Sequence, residues 1–358
     1  MNDNLTLRSG KLLASLLLLA AVLVATTLAA CGGSTAPARS PHATTSPAAG
    51  LSQSATPLPA PTVVGTIAFE RVVTPGPGGN GDIYVVNADG TGLKRLTEDP
   101  GWEQHPSWSR ETSQAPSRIA YAVLPRGSDA RSDARVWTMF ADGSRKWQPN
   151  AAVKGAWPEF THFTRADAGS SIAVGRYRKQ AAGSDISLIL VGWSGLPRAT
   201  RGAYYDQSPT WAAGSDILFL RRPSELGAGD VFEVKNTLEG GQPHNLVQLT
   251  KGRNVGEFAL SPDGRSVAIH NVRRDRIEVI PARGGGPART LLGRVSELIR
   301  PDRFAALAWS PDGNALAVAS SSDGGSQGSR LYIVSADGSR LATVPGIENA
   351  MDPAWQPR

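Results

Sequence analysis

From residue 65 onward the chain is a succession of short apolar runs, alternating or continuous, separated by Asp-Gly and Pro-Asp-Gly. Runs of this length and pattern predict β-strands joined by hairpins. No segment of this region sustains a 3.6-residue apolar period, so the body is expected to be all-β. One pattern returns along its length. It reads "LAWSPDGNALAVA" from Leu307, "HPSWSRETSQAPSRIAYA" from His105, "SPTWAAGSDILFLR" from Ser208 and "EFALSPDGRSVAIHN" from Glu257. Degenerate copies are "WPEFTHFTRADAGSSIAVGR" from Trp157 and "DPAWQPR" from Asp352. The anchor positions Trp108, Phe160, Trp211, Leu260, Trp309 and Trp355 are spaced by 52, 51, 49, 49 and 46 residues, a near-constant period.

The later half of each period repeats as well, as in "IYVVNADGTGLKRLT" from Ile83, "VWTMFADGSRKW" from Val136 and "LYIVSADGSRLATV" from Leu331. Each period thus holds an anchor strand, a turn, and three further runs. Four strands in roughly 45 to 50 residues are the blade of a β-propeller, in which radially packed sheets leave few free edges. Residues 65–358 number 294, which six blades of 49 residues would fill. The region begins with "GTIAFER", the kind of run that follows an anchor, and ends with an anchor, "PAWQPR". One blade is therefore expected to take one strand from the carboxyl end and three from the amino end, which protects its edges.

The stretch "IYVVNADGTGLKRLTEDPGWEQHPSWS" from Ile83 resembles the repeat of TolB-type propellers, also called PD40 or WD40-like, which prolyl oligopeptidases and tricorn-like proteases share. The resemblance spans residues 65–358 and implies the fold; propellers host unrelated activities, so it does not imply one function. TolB itself carries an α/β domain ahead of its propeller. Here a Pro-rich segment stands in that place, which speaks against a role in an envelope-spanning Tol–Pal system.

Arg8 and Lys11 precede an uncharged, mostly apolar run from Leu12 to Ala30, the pattern of an export signal. "LAAC", Leu28 to Cys31, resembles the lipobox of bacterial lipoproteins, which implies removal of residues 1–30 and a lipid on Cys31. An uncleaved membrane helix is the alternative, since the run reaches the roughly 17 to 25 residues that span a bilayer. Either reading places the body outside the cytoplasm and tethered to the membrane. Cys31 is the only cysteine, so disulfides and thiolate metal sites are excluded from the body. Residues 32–64 are rich in Pro, Ala, Ser and Thr and too poor in large apolar side chains to fold, so a disordered stalk is expected, with a reach of up to ~100 Å. The formal charge is +6, and loss of Asp3, Arg8 and Lys11 with the signal leaves +5. Lys and Arg are interspersed with Asp and Glu, so no nucleic-acid partner is expected.

The Ser-Pro-Asp-Gly cluster needs no chemistry to explain it. Proline presets φ, Asp accepts from nearby backbone and Gly takes positive φ, as at Pro311 to Gly313 and Pro262 to Gly264. The anchor aromatics are expected to fill the wedge between sheets, where a buried ring contributes ~2 to 3 kcal/mol. Gly324 to Gly328, "GGSQG", spells Gly-x-Ser-x-Gly, but no helical pattern follows it to make a nucleophile elbow, and "GWSG" from Gly192 has the wrong spacing. Zinc patterns are absent, and the body has four histidines, His105, His162, His244 and His270. The enzymatic alternative is a metal-dependent carbohydrate-active propeller resembling oligogalacturonate lyase, for which Gln104 and His105 would be a fragment of the site. No Asp-rich calcium loop is present, so no cofactor is expected beyond the lipid, and structural Ca²⁺ lacks a motif.

Loops that enter the anchor strands should gather at one rim of the central channel, where a rigid scaffold presents binding residues. By register these are residues 98–105, 148–157, 201–208, 251–257, 300–306 and 345–352. The expected ligand-binding set is Trp102, Glu103, Gln104, His105, Tyr204, Tyr205, Asp206, Gln207, Arg253, Asn254, Asp302, Arg303, Glu348, Asn349 and Asp352. Aromatic faces with amides and carboxylates suit a protein, peptide or glycan partner. The protein is expected to be monomeric.

Overall fold

The β-branched and aromatic runs form strands that pair with their neighbours in sequence, because each hairpin turn is built into the chain. The structure is a computed structural model that describes residues 65–74, 79–111, 113, 115–127, 134–149, 161–163, 171–177, 183–190, 197–212, 214–225, 227–235, 246–299, 304–320 and 328–357. All of these fall in the unit Ala55–Arg358. Cys31, the segment 32–64, Trp157, Phe160, Asp302 and Arg303 lie outside the described residues.

Six antiparallel ladders follow one another along the chain. The first holds β1 (Thr66–Thr74), β2 (Asn80–Asn87) and β3 (Lys94–Arg95). The second holds β4 (Trp102–Trp108), β5 (Arg118–Leu124) and β6 (Arg135–Phe140), and a bridge from Thr138 to Trp147 adds an outer segment. The third holds β7 (Thr161–Phe163), β8 (Ser171–Tyr177) and β9 (Ser184–Leu190), with a similar bridge from Ser187 to Arg198. The fourth is β10 (Tyr205–Trp211), β11 (Ile217–Arg222), β12 (Asp230–Val234) and β13 (Leu246–Gln248). The fifth is β14 (Val255–Leu260), β15 (Ser266–Asn271), β16 (Arg276–Pro281) and β17 (Arg289–Gly293). The sixth is β18 (Ala305–Trp309), β19 (Ala315–Ser320), β20 (Arg330–Ser335) and β21 (Leu341–Glu348).

The last strand, β22 (Ala350–Trp355), is antiparallel to β1, with Ile67 opposite Trp355 and Arg71 opposite Ala350. The first ladder is therefore β22-β1-β2-β3, one strand from the carboxyl side and three from the amino side, as the sequence predicts.

Apolar side chains leave both faces of these ladders and meet those of the next. Ala68, Ile83 and Val85 of the first ladder pack with Trp108, Ile119 and Tyr121 of the second. Ala120 and Val136 meet Ile172 and Val174 of the third, and Ile186 and Leu188 meet Trp211 and Phe219 of the fourth. Leu218 and Val231 meet Phe258 and Ile269 of the fifth, and Ala268 and Ile277 meet Leu316 and Val318 of the sixth. The succession closes where Ala317 and Ile333 meet Ile67, Phe69 and Trp355. Face-to-face packing of consecutive small sheets, with no sheet left uncovered, makes the fold a β-propeller.

The anchor tryptophans sit in these wedges as expected. Trp108 Nε1 donates to the Ala354 carbonyl at 3.0 Å and Trp309 Nε1 to that of Ala259 at 3.1 Å, each reaching the inner strand of the preceding ladder. The Ser-Pro-Asp-Gly stretches are tight turns. Gly313 N–H donates to the Ser310 carbonyl (2.9 Å), Ser310 Oγ–H to Asp312 Oδ1 (2.6 Å), and Ala315 N–H to Ser310 Oγ (2.9 Å). Gly264 N–H closes the equivalent turn on Ser261, and the φ of 72° at both Gly264 and Gly313 is the reason glycine stands there.

One expectation is corrected here. Residues 102–105 and 205–208 are not loop residues, because β4 starts at Trp102 and β10 at Tyr205. Their backbones pair with β5 and β11, and Glu103, Gln104, His105, Asp206 and Gln207 are buried.

Candidate functional site: the central channel

The inner strands share an irregularity at one place. Between Gln104 and Ser107 in β4, Gln207 and Thr210 in β10, Val255 and Phe258 in β14, and Met351 and Ala354 in β22, three steps oppose two on the partner strand. Each strand thus carries a β-bulge two to four residues before its anchor, and a bulge re-aims a side chain. In three of them the bulge is an X-Pro pair: His105-Pro106, Ser208-Pro209 and Asp352-Pro353. The residue before proline takes a left-handed φ of 53°, 50° and 45° respectively, which costs a non-glycine residue ~1 to 2 kcal/mol. Proline has no N–H, so the bulge orphans no buried donor. Inner strand β18, with Ala306 at the equivalent position, runs without a register shift.

The bulges bring His105, Ser208, Glu257 and Asp352 to a neck of about 80 Å³, which Pro106, Phe258, Leu307 and Pro353 also line. All four polar side chains are buried. His105 Nδ1 lies 3.0 Å from Asp352 Oδ2. Ser208 Oγ–H donates to Glu257 Oε2 at 2.8 Å, and the buried Arg222 donates from Nη2 to Glu257 Oε1 at 2.8 Å and to the Gly256 carbonyl at 2.6 Å. The Arg222 guanidinium sits over the Phe304 ring, 4.6 Å from its centroid. Gly256 permits this arrangement, since a Cβ there would lie 2.6 Å from the Phe304 ring. Glu257 is thus charge-compensated inside the protein by Arg222.

Beyond the neck, on the side of the Ser-Pro-Asp-Gly turns, the channel widens to a chamber of about 710 Å³. Its wall comprises Trp108, Trp211, Leu260, Trp309 and Trp355, with Pro262, Asp263, Pro311 and Asp312 from the turns and Arg110 and Arg289. This chamber therefore lies at the anchor end of the inner strands, opposite the end where the residues expected to bind ligand begin them.

Those residues separate into groups. Gln104, His105, Gln207 and Asp352 are at or next to the bulges. Trp102 is half-buried and donates from Nε1 to Glu70 Oε1 at 2.6 Å. Asp206 holds Arg221 through two hydrogen bonds of 2.7 and 2.8 Å, and Arg221 lies between aromatic rings, 4.9 Å from that of the exposed Tyr204. Tyr205 is half-buried beside them. Arg253 Nη1 is 3.7 Å from Glu278 Oε2, and Asn254 caps its own turn through the Gly252 carbonyl. Glu348 is exposed, and Asn349 Oδ1 accepts from Gly328 N–H at 2.7 Å. Sequence reasoning named neither Ser208 nor Arg222. The repeated X-Pro three residues before an anchor was a signal for Ser208; Arg222 comes from the second strand of its ladder and had none. His105 is paired with Asp352, and among the described residues no three His, Cys, Asp or Glu side chains are arranged to hold a metal.

Glu103 lies elsewhere, at the joint between the first and second ladders. It and Asp82 of β2 are fully buried beside one another. Burial, with the Asp82 carboxyl beside it, pushes Glu103 up to about 9, so it is protonated at neutral pH. Burial also raises Asp82, against the pull of Glu103 and Arg95, whose Nη2 lies 2.6 Å away.

No family model matches the chain, and no curated protein matches it. Solved structures do. TolB from Acinetobacter baumannii superposes with a TM-score of 0.61 at 16% identity, over 82% of this chain and 67% of that one. A protein assigned as TolB from Agrobacterium tumefaciens gives 0.53 at 12% identity, over 82% and 92%. A chain of the nidogen/laminin complex gives 0.59 at 9% identity, over 81% and 98%. Identities this low carry the fold and nothing finer: the chain has the β-propeller fold of the TolB structures.

Proposed function

We propose that this protein is a binding module of the cell envelope, a six-bladed propeller in which each ladder is one blade and whose channel receives a protein segment without catalysing a reaction. In this reading residues 1–30 are removed, lipid on Cys31 tethers the protein, and residues 32–64 space the body from the membrane. The observation that carries the proposal is the set of bulges: repeated backbone strain and four buried polar side chains are spent at one neck, next to a chamber of about 710 Å³. A chamber walled by tryptophans, prolines and two arginines suits an extended peptide, which offers apolar side chains and backbone acceptors together. The presence of a propeller in a structure of a protein–protein complex, nidogen/laminin, supports this class of partner.

Full-length protein carrying a photo-cross-linker at Arg110 or Pro262, exposed to envelope extracts, should capture a protein segment, and Arg289→Glu should lower the yield at least tenfold. Cross-linking that survives chamber variants but is lost on replacing Trp102 and Tyr204 would move the site to the opposite rim. Turnover of polysaccharide or peptide, abolished by His105→Ala, would overturn the non-catalytic reading. Labelled palmitate should enter the wild type and not Cys31→Ser.

A further inference from the structure

The first and second ladders meet beside β22 through several polar side-chain contacts. Trp102 of β4 reaches Glu70 of β1, His105 of β4 pairs with Asp352 of β22, and Asp82 of β2 meets Glu103 of β4. The last pair is chemically specific. Glu103 Oε2 has Thr97 Oγ at 3.4 Å and Asp82 Oδ2 has Arg95, but Glu103 Oε1 and Asp82 Oδ1 are buried with no donor from any other side chain or backbone group among the described residues. Two carboxylates cannot hydrogen-bond each other; a carboxylic acid and a carboxylate can, and one proton between them satisfies both oxygens. We propose that this joint is a proton-held latch: a single proton shared by Asp82 and Glu103 fastens the second ladder to the first, and its loss loosens the clasp made by β22.

The charged groups facing the pair are few. Arg95 comes from β3 and holds Asp82, Asp99 follows it, Lys146 follows β6 and pairs with Asp99 at 3.3 Å, and Tyr121 on β5 lies buried beside Glu103. Arg95 supplies one positive charge for two carboxyls, so removing the proton leaves one buried negative charge without a partner. Unfolding lets that charge into water. The sign follows: the native state keeps a proton that the unfolded chain gives up above the ordinary carboxylate range. Stability from this pair therefore falls as pH rises toward 9 and then levels off.

The test uses the full-length protein. Between pH 7 and 9 the wild-type unfolding constant should rise by about tenfold per pH unit relative to that of Glu103→Gln, whose neutral amide keeps a donor at the joint. Infrared difference spectra at pH 7.5 should show a protonated-carboxyl stretch that Glu103→Gln lacks. Amides of β4 and β22 should lose protection above pH 9 relative to those of β15 and β16, after correction for intrinsic exchange. Parallel stability profiles, no carboxylic-acid band in the wild type, or equal loss of protection in all four strands would each overturn the latch. So would stability that follows Na⁺, K⁺ or Ca²⁺ concentration in place of pH, which would put a cation between the carboxyls. Should Glu103→Gln not fold, the wild-type infrared band decides.

Discussion

At the scale of single residues, proline shapes the neck. A bulge needs one unpaired backbone position, and Pro106, Pro209 and Pro353 put there a residue with no donor to lose. The cost falls on the preceding residue. At Ser208, with φ of 50°, replacement by Gly should change stability by less than ~1 kcal/mol, since relief of strain offsets the lost bond to Glu257. Ser208→Val, β-branched in a left-handed conformation, should cost ~2 kcal/mol or more, and urea midpoints of the two variants distinguish them. His270 gives the opposite pH signature to Glu103. Its Nδ1 accepts the Ala305 N–H at 3.1 Å, and burial pushes it down to about 4, with Asp275 opposing weakly. Unfolded histidine takes a proton near 6.5, so the native state should lose ~3 kcal/mol as pH falls from 6.5 to 4, a loss that His270→Gln should reduce. The turns were legible at this scale, because Pro-Asp-Gly dictates geometry locally. The pairing of Asp82 with Glu103 was not, since two carboxylates 21 residues apart read as solvated charges until the fold brings them together.

Among elements, the anchor strands carry the fold. Trp211, 2% exposed and wedged between the third and fourth ladders, should cost ~3 to 5 kcal/mol on replacement by Ala, measured by urea unfolding. Sequence periodicity located these strands well because their spacing and apolar pattern are set by the ladder each one starts. It misjudged what precedes them. Residues 98–105 and 201–208 look like loops by their Pro, Gly, Asp and Gln content, yet β4 and β10 extend through Glu103 to His105 and Asp206 to Ser208. Burial there is compensated by specific partners, Arg221 for Asp206 and Asp82 for Glu103, and such compensation has no local sequence signature. The chamber escaped notice for a related reason: its wall is made of anchors and turns whose composition is fully explained by packing.

On the scale of the molecule, closure makes every ladder depend on two others. The six apolar clusters each join consecutive ladders, including the last with the first, so unfolding in urea should be a single transition by fluorescence and by circular dichroism. A chain ending at Glu348 would leave the inner edge of β1 bare, and size-exclusion chromatography should show it aggregated. The placement of β1 bears also on mechanics. Gly65 lies against the Trp355 ring, and the strand that follows is hydrogen-bonded along its length to β22 on one side and β2 on the other. A pull transmitted through the upstream segment therefore meets an interior strand, not an edge. It must shear two rows of hydrogen bonds at once instead of unzipping one, which makes the start of β1 among the most force-resistant places in the described structure.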